Sequence, residues 1–283
     1  GDFKKAIICF GKAIEINPKN TDVFYNLGVM YKEQGDFKKA IMHYVKVIEL
    51  NPNHTAAINN LSILFKGIQF NNLNKTNSDF LRKIFLFLFR RNDIEHNAIF
   101  TNAKLIVLAE YELDSLEKLF NLEFLLKEKI FIKLMKDELF LLILRKSIIK
   151  DNLFEKILTK LRLEILITLF KSDKKILKEH YEFIISLSQQ CFLNEYVFYQ
   201  SDKESIYINK LKNLIEIDNS IKELEIVILS CFTPLNYSQI VVNKVSNYES
   251  KNVLFNNLIT LQIKEPLREK KLLNSIKSIG EIS

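Results

Sequence analysis

The sequence predicts an all-α protein, a solenoid of helical hairpins followed by an irregular helical domain. Three observations carry that expectation. Residues 1–20, GDFKKAIICFGKAIEINPKN, recur at residues 35–54 as GDFKKAIMHYVKVIELNPNH. This 34-residue offset is the period of a two-helix repeat that cannot bury its apolar face alone. Only six glycines and four prolines punctuate 283 residues, too few for the turns of an all-β or doubly wound fold. Beyond the repeats the apolar residues keep helical spacing, as in Phe80, Ile84, Phe87 and Leu88, and again in Phe154, Ile157, Leu158, Leu161 and Ile165.

Residues 21–54 form one complete unit. Phe24, Leu27 and Tyr31 place a stripe on its first helix, and Ala40, Tyr44 and Val47 or Ile48 place one on its second. Gly28 and Ala40 are small where the two helices would approach. Gly35-Asp36 supplies the turn between them, and Asn51-Pro52 ends the second helix. A further first helix follows in Thr55 to Lys66, with Ile58, Leu61 and Phe65 in register and Ser62 in place of the glycine. After Gly67 the register is lost. Because the first Gly-Asp-Phe falls in the middle of a unit, the chain is expected to be a fragment, with Ile7, Phe10 and Ile14 presenting an apolar face prone to association.

The remaining elements follow from the same spacing. Residues 71–78, rich in Asn, Thr, Ser and Lys, read as a linker. Helices are expected at roughly 78–90, 93–110, 113–128, 129–150, 153–171, 174–191, 202–217 and 219–232. The expected organisation is repeats over 1–70, a linker over 71–78, a helical middle domain over 79–264 and a linker helix over 265–283.

Composition narrows the function classes. With 48% hydrophobic and 27% charged residues the chain can build a packed core. The net charge of +7 comes from lysines spread along the sequence. A nucleic-acid interface would gather them on one face, so no nucleic-acid partner is expected. The apolar run Ile84 to Phe89 is too short to span a bilayer, and Lys133, Lys136, Asp137 and Glu138 interrupt the stretch from Ile130, so no membrane partner is expected either. Cys9, Cys191 and Cys231 lie far apart, and His43, His54, His96 and His180 match no metal-binding spacing. These features fit a reducing cytoplasm. Phosphate-cradling glycine loops, G-x-S-x-G and H-E-x-x-H are absent. Cys191 and Glu195 in Ser188 to Phe198 invite a nucleophile or base reading, yet no histidine is placed to partner them. A helix-loop junction with buried amides accounts for that composition as well.

Phe24, Leu27-Gly28, Tyr31, Ala40, Tyr44 and Pro52 together resemble the tetratricopeptide repeat, with Val47 replacing the usual small residue, and Ala6, Phe10, Ala13 and Pro18 repeat the pattern. The resemblance implies a protein- or peptide-binding role. Asn26 and Asn60 share one position in successive units, where an amide can both donate to and accept from a peptide backbone. With Tyr25, Val29, Lys32, Asn59, Ile63 and Lys66 they outline a shallow groove on the concave face. The bland alternative is that they only face solvent or a neighbouring helix.

A second resemblance rests on QQCFLNEYVF, on Phe232-Thr233-Pro234-Leu235 and on Glu265-Pro266-Leu267 followed by a basic helix. These strings are similar, in this order, to bacterial tetratricopeptide proteins with a C-terminal class I methyltransferase domain. That likeness implies the recruiting, non-catalytic part of an enzyme using S-adenosylmethionine. The glycine-rich cofactor loop has no counterpart here, so no catalytic, cofactor or metal residue is carried over and no cofactor is expected in this chain. A stand-alone scaffold is the competing expectation.

Overall fold

A computed structural model describes residues 3–68, 70, 75–113, 124–171 and 174–280. It is all-α, with no strand among the described residues. The chain divides into two compact units, residues 1–110 and 111–283.

The first unit contains α1 (Phe3–Ile16), α2 (Thr21–Glu33), α3 (Phe37–Leu50), α4 (Thr55–Gly67), α5 (Lys75–Arg90) and α6 (His96–Tyr111). Its helix ends follow from single residues. Asn20 caps α2 by accepting from the amides of Asp22 and Val23 at 3.1 and 3.3 Å. Gly35, at φ +75°, makes the left-handed turn that lets the Asp36 amide reach back to the Tyr31 carbonyl at 2.9 Å. Asp36 then caps α3 through the Lys39 amide. One period after Asn20, His54 does the same for α4, its Nδ1 accepting from the Ala57 amide at 3.2 Å.

The core of the hairpin is the stripe expected from sequence. Phe24, Leu27 and Gly28 of α2 are buried with Ala40, Tyr44, Val47 and Ile48 of α3. Gly28 lies so close to the Tyr44 ring that a Cβ there would stand 2.6 Å from Cε1.

The hairpin pattern does not stop at Gly67. It resumes with an offset of 41 residues: Leu81, Phe85, Leu88 and Phe89 of α5 repeat Ala40, Tyr44, Val47 and Ile48, and all four are buried. On α6, Ile99, Ala103 and Ile106 repeat Ile58, Ser62 and Phe65, and all three are fully enclosed. The seven additional residues fall in the longer connection between α4 and α5. Lys75 to Ser78, expected as linker, are the first turn of α5; residues 71–74 lie outside the described part.

Two features accommodate that connection. Phe65, Phe70 and Phe85 form an aromatic cluster with ring centroids 4.7 to 6.3 Å apart. Asn102 stands where the preceding units carry Leu27 and Leu61, and it is buried. Its Nδ2 donates to the carbonyls of Phe65 and Ile68, both at 2.6 Å, and its Oδ1 accepts from the Phe70 amide at 3.2 Å. These are end-of-helix carbonyls that have no partner within α4.

The second unit contains α7 (Lys129–Leu134), α8 (Glu138–Lys146), α9 (Asn152–Phe170), α10 (Lys174–Glu179), α11 (Tyr181–Leu193), α12 (Asp202–Ile217), α13 (Glu223–Leu229), α14 (Gln239–Val245), α15 (Val253–Ile259) and α16 (Glu265–Gly280). Its centre is α11, buried continuously from Phe183 to Cys191 and packed against α8, α13 and α15. Four of those nine residues, Ser186, Ser188, Gln189 and Gln190, are polar and buried with the apolar ones.

Several helices differ from expectation. The single helix over 129–150 is two, because Asp137 turns its carboxylate onto the Phe140 amide at 2.7 Å and caps α8. The helix over 174–191 is broken at His180, and that over 219–232 is shortened to α13. Most of 113–128 lies outside the described residues; its end is a 3-10 turn, Leu125–Lys127, whose first amides are taken by the buried Glu164 carboxylate at 2.9 and 3.0 Å. Before α16, residues Thr260–Lys264 widen into a π turn. Pro266 has no N–H to offer the Gln262 carbonyl, which accounts for the shift in the ladder there.

Candidate functional site

Among the eight residues expected to line a groove, three are joined directly. Lys32 of α2 donates from Nζ to Oδ1 of Asn60 on α4 at 2.9 Å, and Asn60 in turn donates from Nδ2 to the Tyr25 hydroxyl on α2 at 3.1 Å. The relay closes because Tyr25 and Lys32 are seven residues apart on one face of α2, and Asn60 lies across from both. Tyr25 is held from behind by the His54 ring at 5.1 Å, the same imidazole that caps α4.

The other five lie around this relay. Asn26 and Asn59 are exposed, Val29 is half-buried, and Ile63 is 61% exposed. Lys66 stands 3.9 Å from Glu95 with both side chains in solvent, a pair worth little by itself. Asn26 and Asn60 share a repeat position but not an environment, since only Asn60 is half-buried and bonded across the helices.

The surface therefore offers exposed amides, one exposed aliphatic side chain, and a half-buried ammonium whose hydrogen-bond acceptor is a neutral amide oxygen. Such a mixture can bind backbone and acidic groups. The sequence did not show the Lys32 to Asn60 bond. It joins residues 28 apart and follows from the packing of α4 beside α2.

Side chains of the Ser188 to Phe198 segment bond to neighbouring parts of the second unit. Asn194 donates to the Ile149 carbonyl at 3.3 Å, and the side-chain amides of Gln190 and Asn194, both buried, lie 2.7 Å apart. Glu195 and Tyr196 take φ of +52° and +59° to end α11, which aims the Tyr196 hydroxyl at the Ser230 carbonyl and the Gln262 side chain. Cys191 and Cys231 are buried. Burial, followed by the contact with Cys191, pushes the Cys231 thiol well above its ordinary range, so it stays protonated and poorly nucleophilic. No group of three His, Cys, Asp or Glu side chains that could hold a metal occurs among the described residues, and no described helix is long and apolar enough to cross a membrane.

No curated protein matches the chain. A family model of the tetratricopeptide repeat matches residues 21–54 and a second TPR repeat model matches residues 1–35, so the first part of this chain carries tetratricopeptide repeats.

Proposed function

We propose that the chain is a protein- or peptide-binding module whose contact surface is built on α2 and α4, on the concave side of the repeats, around Tyr25, Lys32 and Asn60. The observation that carries this is the Lys32 to Asn60 bond: the ammonium is held in place by a neutral partner, leaving its charge to be matched by a ligand. Exposed Ile63 beside it supplies apolar contact. A peptide array probed with the labelled chain tests the reading. Spots that bind the wild type and fade with Asn26→Ala plus Asn60→Ala, at unchanged melting temperature, support it. Equal patterns for both proteins contradict it.

The finer reading follows the resemblance of the Ser188 to Phe198, Phe232 to Leu235 and Glu265 to Leu267 strings. In it, this chain is the recruiting, non-catalytic part of a cytoplasmic S-adenosylmethionine-dependent methyltransferase, with the cofactor bound outside residues 1–283. Calorimetry of this chain with S-adenosylmethionine is then expected to show no heat of binding. The competing reading is an adaptor that catalyses nothing. A reading frame continuing past Ser283 into a strand, a glycine-rich loop and a helix favours the first, and a stop codon there favours the second.

A further inference from the structure

The first unit has a second concave surface, a groove of about 370 Å³ between α3 and α5. One wall is Phe80, Lys83, Ile84 and Phe87 of α5, and across it stand Val45 and Ile48 of α3. The α5 residues are spaced i, i+3, i+4 and i+7, so that wall is one face of two helical turns, about 10 Å long.

The internal repeat shows that this lining is particular to α5. At the 41-residue offset, Phe80, Lys83, Ile84 and Phe87 correspond to Lys39, Met42, His43 and Lys46 of α3. Three positions that are polar on α3 are apolar on α5, and the one that is apolar on α3 is a lysine on α5. The hairpin of α2 and α3 forms without an apolar wall at these positions. On α5, Phe80 is nevertheless left 42% exposed.

The charges around the groove are matched, with one exception. Glu49 accepts from Lys46 Nζ at 3.1 Å. At one end Arg91 donates to the Pro52 carbonyl at 3.2 Å and lies 5.6 Å from the Phe87 ring centroid, its charge matched by Asp93 at 2.7 and 2.8 Å. Lys83 is exposed and has no partner among the described residues.

Size then separates the possible occupants. A stable protein interface takes about 800 Å² from each partner, far more than two helical turns offer. Small-molecule sites hold roughly 300–1,000 Å³ and combine apolar walls with a few polar groups. We infer that this groove binds a small amphiphilic anion, a medium-chain carboxylate whose tail lies along Val45, Ile48, Phe80, Ile84 and Phe87 and whose head group meets Lys83. The site is separate from the surface on α2 and α4 and does not depend on it.

The chain contains no tryptophan, so Phe80→Trp places a single indole in the groove at a position already exposed. Titration of the full chain carrying it with decanoate, below micelle formation, is expected to shift the emission to the blue and to saturate. Decyltrimethylammonium, with the same tail and the opposite charge, is expected to bind at least about ten-fold more weakly. Adding Lys83→Glu is expected to weaken decanoate about ten-fold, because an exposed attraction is replaced by a repulsion. Circular-dichroism melting checks that each variant is folded, and calorimetry of the wild type with decanoate runs alongside. Binding to the wild type that is lost in a folded Phe80→Trp chain also supports the site, since the larger ring then fills it. No heat of binding to the wild type overturns the proposal. Equal affinity for the two amphiphiles, an unchanged decanoate affinity in Lys83→Glu, or heat of binding to the Phe80→Trp chain without an emission change overturns it too.

Discussion

Gly28 of α2 lies against the ring of Tyr44 on α3, with no room for a methyl group between them. In an isolated helix Gly→Ala is favourable by about 1 kcal/mol. Here Gly28→Ala is expected to destabilise the first unit by a net of about 1–2 kcal/mol, because the enclosed Tyr44 ring must move. Chemical denaturation of the variant checks this. Ser62, one repeat later, has a buried hydroxyl with no partner among the described residues, so Ser62→Ala is expected to be neutral or stabilising at the same repeat position.

Tyr44 carries a second consequence. Its hydroxyl is buried without a hydrogen-bond partner among the described residues, and burial pushes its pKa up to about 12. An unsatisfied buried hydroxyl is destabilising. Tyr44→Phe is therefore expected to keep or raise the melting temperature, by up to about 1 kcal/mol in stability.

The 34-residue echo, the Gly35-Asp36 turn and the Phe24 to Tyr31 stripe made the first hairpin legible from sequence alone. The continuation was hidden by two local changes. Seven extra residues shift the period to 41, and Asn102 replaces the leucine of the pattern, so a scan for apolar spacing finds a polar residue at its key position. The division at Asp137 was hidden for the opposite reason: Phe131, Met135, Leu139 and Ile143 stay in helical spacing across a cap that interrupts the backbone. At the candidate site, the sequence showed which residues share repeat positions. It did not show that Asn60 is engaged and Asn26 is not, because that depends on which neighbours α4 meets.

Asn102 supplies a direct test of the continued repeat. Asn102→Leu restores the residue type of the earlier units, yet it removes the donor to the Phe65 and Ile68 carbonyls. The expected outcome is a loss of about 1–3 kcal/mol, the cost of leaving buried acceptors unpaired, measured by urea unfolding. A gain in stability would show that the leucine pattern governs the site instead.

In the second unit, Arg162 and Glu204 are each 2% exposed and bonded at 3.2 Å, with the guanidinium also donating to the Tyr199 carbonyl at 2.6 Å and lying over the Phe232 ring. Arg162→Met leaves a buried carboxylate without its cation and is expected to cost about 3–5 kcal/mol. Adding Glu204→Gln to that variant is expected to recover part of the loss, as read by calorimetric melting.

Acid should weaken both units through their histidines. Burial, then the Lys39 charge, holds His43 below the ordinary 6.5; burial, then the Lys136 charge, does the same for His180 against an opposing effect of Glu179. Between the folded and unfolded pKa values the unfolded chain binds more protons. Their contribution is thus complete above about pH 6.5 and is lost as the pH falls through the folded values. Urea midpoints at pH 7.5 and 5.5 should differ less in His43→Gln and His180→Gln than in the wild type.

The relay of Tyr25, Lys32 and Asn60 is tested most directly by fluorescence-anisotropy titration of one array-selected peptide against the wild type, Lys32→Ala and Asn60→Ala. The account predicts at least about ten-fold weaker binding for each variant, as expected for loss of a charge-assisted contact of about 1.4 kcal/mol, with unfolding midpoints preserved. Affinities within about two-fold of the wild type, a difference of only ~0.4 kcal/mol, would contradict it.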